Sequence, residues 1–220
     1  MRPRLIRLIR PLAALGAAAT LTVALTQSTT SAAFTATTGD GGNRVSSAPT
    51  FCTAVGRVDT PGAVDTGLYQ SQPGQNFSTN PSIGVISTAG SIARTLIKFD
   101  LSGRPAGCTV QSAVLTMRVS NGTPGAIVEV YRAAASWNLA TVSYSSDPQF
   151  AVPGAPAMSV ANGNLITWDV ATQVTGLIAG PDYGFEIKFA TEGGASYTQL
   201  FDSMDATTVA NRPKLSITWR

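Results

Sequence analysis

Apolar and polar side chains alternate along most of the chain from Phe51 onward. Ile97, Phe99 and Leu101 share one side of an extended segment, with Lys98 and Asp100 on the other. Ala113, Leu115, Met117 and Val119 stand opposite Thr116 and Arg118, and Val128 and Val130 stand opposite Glu129 and Tyr131. The rhythm returns in Ile166, Trp168 and Val170, in Tyr183, Phe185, Ile187 and Phe189 against Glu186 and Lys188, and in Leu215, Ile217 and Trp219. Successive side chains of a strand point to opposite faces. A period of two therefore predicts strands with one dry and one wet face, as in antiparallel sheets. Turn-forming clusters punctuate the runs: Ser102 to Gly107, Asn121 to Gly125, Pro153-Gly154-Ala155-Pro156, Asn162-Gly163-Asn164 and Glu192-Gly193-Gly194. Many short strands with such punctuation predict an all-β, antiparallel two-sheet sandwich or barrel over residues 51–220. One segment breaks the rhythm. Asp169 can cap a short helix carrying Val170, Val174, Leu177 and Ile178, closed by Gly180 and Pro181.

The N-terminus reads as an address. Arg2, Arg4, Arg7 and Arg10 precede an apolar stretch from Leu12 to Leu25, and Ser31-Ala32-Ala33 supplies the small residues that a signal peptidase accepts. Residues 1–33 are thus expected to be a signal peptide, its apolar run being short of the roughly 20 residues of a membrane span. Export changes the electrostatics. The chain has 15 basic and 12 acidic residues; without the four leader arginines the mature part has 11 against 12, or −1. No basic surface is left to recommend nucleic acid as a partner, and no membrane association is expected after cleavage. An oxidising compartment also favours joining the only two cysteines, Cys52 and Cys108. Residues 34–50 are small and polar with one aromatic anchor, Phe34, and are expected to form a flexible arm or a strand completed by a partner.

Two resemblances add to this reading. Ser31-Ala32-Ala33-Phe34, followed by Asp40 and Gly42-Asn43, resembles the start of camelysin and TasA-like matrix proteins after a SipW-type signal peptide. A longer series of phrases covers most of the mature chain. Arg94-Thr95-Leu96-Ile97-Lys98-Phe99-Asp100-Leu101 precedes Pro105 to Val110 and Ser112-Ala113-Val114-Leu115; Val130-Tyr131-Arg132 precedes Ser136-Trp137. Trp168-Asp169-Val170, Asp182-Tyr183-Gly184-Phe185, Phe201-Asp202-Ser203 and Asn211-Arg212-Pro213-Lys214-Leu215 follow in order. The series resembles the DNRLRE-domain family, secreted modules related to carbohydrate-binding modules of polysaccharide lyases. That resemblance implies a jelly-roll β-sandwich without catalysis of its own, acting at the cell surface or on extracellular polysaccharide. The chain departs from the family at Asn138 and Tyr144, where an acid and a tryptophan are usual, and lacks the hexapeptide that names the family.

Candidate chemistry is sparse. Charged residues are 12% of the chain, about half the usual share of roughly 25%. Histidine is absent, which removes Ser-His-Asp and Cys-His nucleophile systems and imidazole-ligated metals. Aromatic rings can cover the apolar C–H face of a sugar, and Trp137 and Tyr144 are the carbohydrate-binding candidates, with Tyr69, Phe150 and Tyr197 as further rings. The plainer reading of Trp137 is that it plugs one end of the sandwich. Trp168 and Trp219 fall in phase with core positions. Asp65, Asp100, Glu192, Asp202 and Asp205 are oxygen donors for a structural calcium, although no D-x-D-x-D-G run is present. Asp100 is expected to bond its neighbouring turn instead. Glu129 and Glu186 face outward, but nothing pairs them as glycosidase carboxylates. Asn76-Phe77-Ser78 and Asn121-Gly122-Thr123 match the glycosylation pattern. The expectation is a secreted, noncatalytic polysaccharide-binding module; the alternative is a structural subunit of a surface layer, fibre or biofilm matrix, partnered with like subunits or cell-surface proteins through its arm.

Overall fold

The computed structural model describes Cys52, residues 56–60 and residues 63–220; the expected leader (1–33) and arm (34–50) lie outside the described residues. The chain builds β1 (Gly56–Thr60), β2 (Ala63–Tyr69), β3 (Ser82–Ile86), β4 (Ala93–Phe99), β5 (Val110–Gly122), β6 (Ile127–Ala133), β7 (Phe150–Met158) and β8 (Leu165–Asp169). The helix α1 (Ala171–Ala179) follows, then β9 (Phe185–Phe189), β10 (Thr198–Asp202) and β11 (Lys214–Trp219). Every pairing between these strands is antiparallel, in the order β1-β11-β5-β10-β3-β4-β9-β6-β7, with β2 on β4 and β8 on β5. The long β5 pairs β11 and β8 along its first part and β10 along its last. β3 and β4 share a single paired position, Ile86 with Ala93, and there the sheet curls over itself.

The curl makes the fold sandwich-like, as the alternation predicts. Leu115, Met117, Ile166, Trp168 and Ile217 from one run meet Ile97, Val128, Val130, Phe185 and Ile187 from the other in one buried cluster. Burying such side chains contributes about 1.5–3 kcal/mol each relative to exposure. α1 closes one end of the core with Val174 and Leu177, and Val170 before it is also buried. Its start differs in detail from the expected cap. Val170 occupies the cap position, while Asp169 ends β8 and accepts the Ala171 N–H at 3.1 Å. Pro153-Gly154-Ala155-Pro156 is a second difference: it belongs to β7 and is not a turn. Among the described strands β7 pairs with β6 alone, so its prolines cost no ladder bond to another of them, and the register shifts between Val130 and Arg132. The bond between Cys52 and Cys108 is formed, with S–S 2.00 Å, and both residues pack against the main core.

Candidate functional site

The outer face of the β2-β4-β9-β6-β7 run carries an unusual set of side chains. Alternation along β4 sends Ile97 and Phe99 to the core and leaves Arg94, Leu96 and Lys98 on the other face, yet Leu96 is fully buried. Its cover comes from residues 134–149, a strap between β6 and β7. The Ala134 N–H to Gln149 carbonyl bond closes the strap, and the Ser145 N–H reaches the Pro73 carbonyl. Asn76 ties down the middle, its Nδ2 donating to the Leu139 and Val142 carbonyls at 2.7 and 2.8 Å. Leu68, Leu96, Ala133 and Val142 then form a second apolar cluster, with Trp137, Tyr144 and Tyr183 packed half-buried against it. The Trp137 Nε1–H donates to the Tyr183 carbonyl at 2.7 Å. Gly184 makes this turn possible: its φ is +78°, and a Cβ there would lie 2.5 Å from the Ile97 carbonyl oxygen.

Beside the aromatic cluster lies a buried ionic network. The Arg94 guanidinium forks onto Glu192, with Nε to Oε1 at 2.9 Å and Nη2 to Oε2 at 2.8 Å. Its Nη1 reaches Asp147 Oδ2 at 2.6 Å and Glu186 Oε1 at 3.4 Å. Lys188 Nζ stands 3.6 Å from Glu192 and lies over the adjoining Phe150 and Tyr131 rings, 4.8 and 5.7 Å from their centres. The Tyr131 hydroxyl donates to Glu129. Glu186 was expected to face water; the strap and its neighbours bury it completely. Burial, reinforced by the Asp147 carboxylate and opposed by Arg94, pushes its carboxyl up to about 8. A neutral Glu186 leaves two carboxylates, Asp147 and Glu192, against two cations, Arg94 and Lys188, and spares the cost of a buried carboxylate whose Oε2 has no hydrogen-bond partner. The arrangement joins the strap (Asp147) and the segment after β9 (Glu192) to β4.

An open groove of about 830 Å³ lies where the end of β4 meets the end of α1. Val64, Leu101 and Ile178 give it an apolar lining, and Lys98, Asp100, Arg104 and Asp182 give it a charged rim. Asp100 Oδ1 accepts the Ser102 N–H at 2.9 Å, the local turn bond expected of it, and Arg104 Nη1 donates to the Ile178 carbonyl at 2.8 Å. Asp182 Oδ1 accepts the Gly184 N–H at 3.1 Å. Burial raises the Asp182 carboxyl above its ordinary value, with the Gly184 N–H and Lys98 pulling the other way.

Trp137 and Tyr144 are thus brought together on one cluster, and both keep part of their surface. The other candidate rings, also half-buried, pack outside that cluster. Tyr69 stacks edge-on against Phe77 with centroids 4.7 Å apart, Phe150 meets Lys188, and Tyr197 leans on Phe189. Trp168 and Trp219 are core residues, 1% and 3% exposed. The five candidate calcium donors do not converge. Glu192 holds Arg94, Asp100 lines the groove, Asp202 sits on β10, and Asp65 is buried where it accepts the Met204 N–H near Asp205. Among the described residues no group of three or more acids or cysteines could hold a metal ion. Asn76 spends its amide on the strap, which argues against glycan attachment there, whereas Asn121 is exposed. Sequence reasoning missed the ionic network and the groove. The one available signal was Leu96 standing between Arg94 and Lys98 on a supposedly wet face.

Among the described residues no helix is long and apolar enough to cross a membrane. A family model, described as carbohydrate-binding module family 96, matches residues 60–219, which include all of β2 to β11. A search of curated proteins finds no match to the chain.

Proposed function

The chain belongs to carbohydrate-binding module family 96, and from that premise we propose that it is a secreted, noncatalytic module that holds extracellular or cell-wall polysaccharide. The family match across nearly the whole sandwich is the observation that carries this reading. The leader-like residues 1–33, the phrases shared with DNRLRE-domain modules and the Cys52–Cys108 bond all fit a protein working outside the cell. The site is the strap, where Trp137 and Tyr144 offer partly exposed rings on a firm apolar base. A ring already fixed by packing loses little further freedom when a sugar stacks on it. The hydrogen bond from Trp137 to the Tyr183 carbonyl sets the plane of the indole. Plugging the sheet face and binding sugar are compatible roles for one tryptophan: its base is buried and its remaining surface is available.

Affinity electrophoresis tests the reading. The mature protein should be retarded in gels containing at least one neutral or acidic polysaccharide, and Trp137→Ala should lose most of that retardation while staying folded. Folded wild-type protein that runs unretarded in every gel overturns the proposal.

A further inference from the structure

One carboxylate holds the end of the strap in a strained conformation. Gln149 has a φ of +63°, in the left-handed region that is unfavourable for a residue with a Cβ. Asp147 keeps it there with both oxygens: Oδ1 accepts the Gln149 N–H at 2.8 Å, and Oδ2 is fixed by Arg94 Nη1 at 2.6 Å. The short helical turn Tyr144–Ser146 runs directly into Asp147, so Tyr144 is tied to the same catch.

Glu186 stands behind that catch. Its Oε1 shares Arg94 Nη1 with Asp147, at 3.4 Å, and its buried Oε2 receives no hydrogen bond from the described residues. With a proton, Glu186 hydrogen-bonds to the Asp147 carboxylate. Without it, two anions meet across one guanidinium nitrogen. The other charges around it are already engaged. Glu192 takes the Arg94 fork, Lys188 of β9 stands by Glu192, and on β6 the Tyr131 hydroxyl serves Glu129. Resting on the polysaccharide reading above, we propose that Glu186 is a proton-operated latch on the strap. Protonated, it holds Asp147 and the Tyr144 end closed; its ionisation frees that end and weakens saccharide binding.

Linkage sets the direction. In the closed form, burial and the Asp147 carboxylate push the Glu186 carboxyl up to about 8; a released strap end admits water and returns it toward 4.5. Between those values only the closed form keeps the proton. Opening therefore becomes more favourable as pH rises, by up to about tenfold per pH unit, and levels off once the closed form has ionised too. Relief of the Gln149 backbone favours opening at every pH. The Arg94 fork onto Glu192 does not involve the strap, so the strap end can open while the sheet beneath it stays paired.

The test is amide hydrogen exchange on the mature full chain from about pH 5 to about pH 9, with rates corrected for base catalysis, beside affinity gels at the two extremes. The Ser145 and Gln149 amides, bonded to the Pro73 carbonyl and to Asp147, report the latch; the β5 amides report global unfolding. Ser145 and Gln149 should exchange faster than β5 throughout. Their protection should fall by at least about tenfold and level off where the carbon resonance of the Glu186 carboxyl titrates. Glu186→Gln, whose amide still donates to Asp147, should abolish the fall. Wild-type protein should be retarded less at the alkaline extreme than at the acid one, and Glu186→Gln equally at both. Strap amides that exchange only together with β5 overturn the latch and leave the polysaccharide reading intact. So does a fall that Glu186→Gln retains, or one out of step with the carboxyl titration. Retardation of the wild type that does not change with pH overturns the control of binding. Absence of retardation by any polysaccharide at either extreme overturns the polysaccharide reading, and the control of binding with it, whatever exchange shows.

Discussion

Glu186 keeps its proton where most glutamates have lost theirs, because it is buried between the Asp147 carboxylate, the Arg94 fork, Glu192 and the Tyr131 side of β6. Its carboxyl stands at about 8 against an ordinary 4.5, and Asp65, buried and close to Asp205, stands at about 7 against 3.8. Between those limits the folded chain holds protons that the unfolded chain has released, so these groups lower stability as pH rises. The thermal midpoint should therefore fall by several degrees from about pH 5 to pH 8, given about 2–4 °C per kcal/mol for a domain of this size. Glu186→Gln keeps the shape without the titration and should flatten that fall; a wild-type midpoint that rises over the same range contradicts the assignment. Tyr131 has a different neighbour. A Cβ on Gly154 would come within 2.7 Å of its ring, so Gly154→Ala must displace Tyr131 from its place beside Lys188. That variant should lose about 1–3 kcal/mol, the usual cost of overpacking, in chemical denaturation.

The strap between β6 and β7 is the element on which the proposed site rests, and Asn76 is its chief tie. Asn76→Ala removes three bonds, one of them from the Ser78 N–H, and leaves the Leu139 and Val142 carbonyls unpaired, a loss of about 2 kcal/mol, with weaker saccharide binding because Trp137 loses its footing. Unchanged stability would mean that the strap is held elsewhere. Nothing in the sequence foretold this element, since residues 134–149 carry no periodicity and their partners lie about sixty positions away at Asn76. The strands were legible for the opposite reason. Ala113-Leu115-Met117-Val119 on β5 and Leu215-Ile217-Trp219 on β11 have one face in the core and one outside it, which is what a period of two reports. β4 was half legible: Ile97 and Phe99 obey the rule, while Leu96 is buried by the strap on the face that the rule assigns to water. On β7 the prolines imitated a turn because its edge position is a property of the whole sheet. Trp137 and Tyr144 were identifiable as aromatics outside the alternating runs, but their shared base required the fold.

Across the whole molecule, the Cys52–Cys108 bond fastens the chain ahead of β1 to the segment entering β5. Closing a loop with a sequence separation of 56 removes entropy from the unfolded chain worth about 4 kcal/mol. Replacing both cysteines with serine should lower the thermal midpoint by roughly 10 °C, and an unchanged midpoint would show that the sandwich needs no such fastening. The three tryptophans allow a direct view of the proposed binding face. Trp168 and Trp219 are sealed in the core, so Trp137 is the indole open to a dissolved quencher. The decisive measurement is acrylamide quenching of tryptophan fluorescence, with and without the polysaccharide that retards the protein most strongly. Saturating polysaccharide should shield the accessible emission nearly completely, and Trp137→Ala should show little quenching in either condition. Quenching that stays the same while the polysaccharide is bound would place the ligand away from Trp137 and contradict this account.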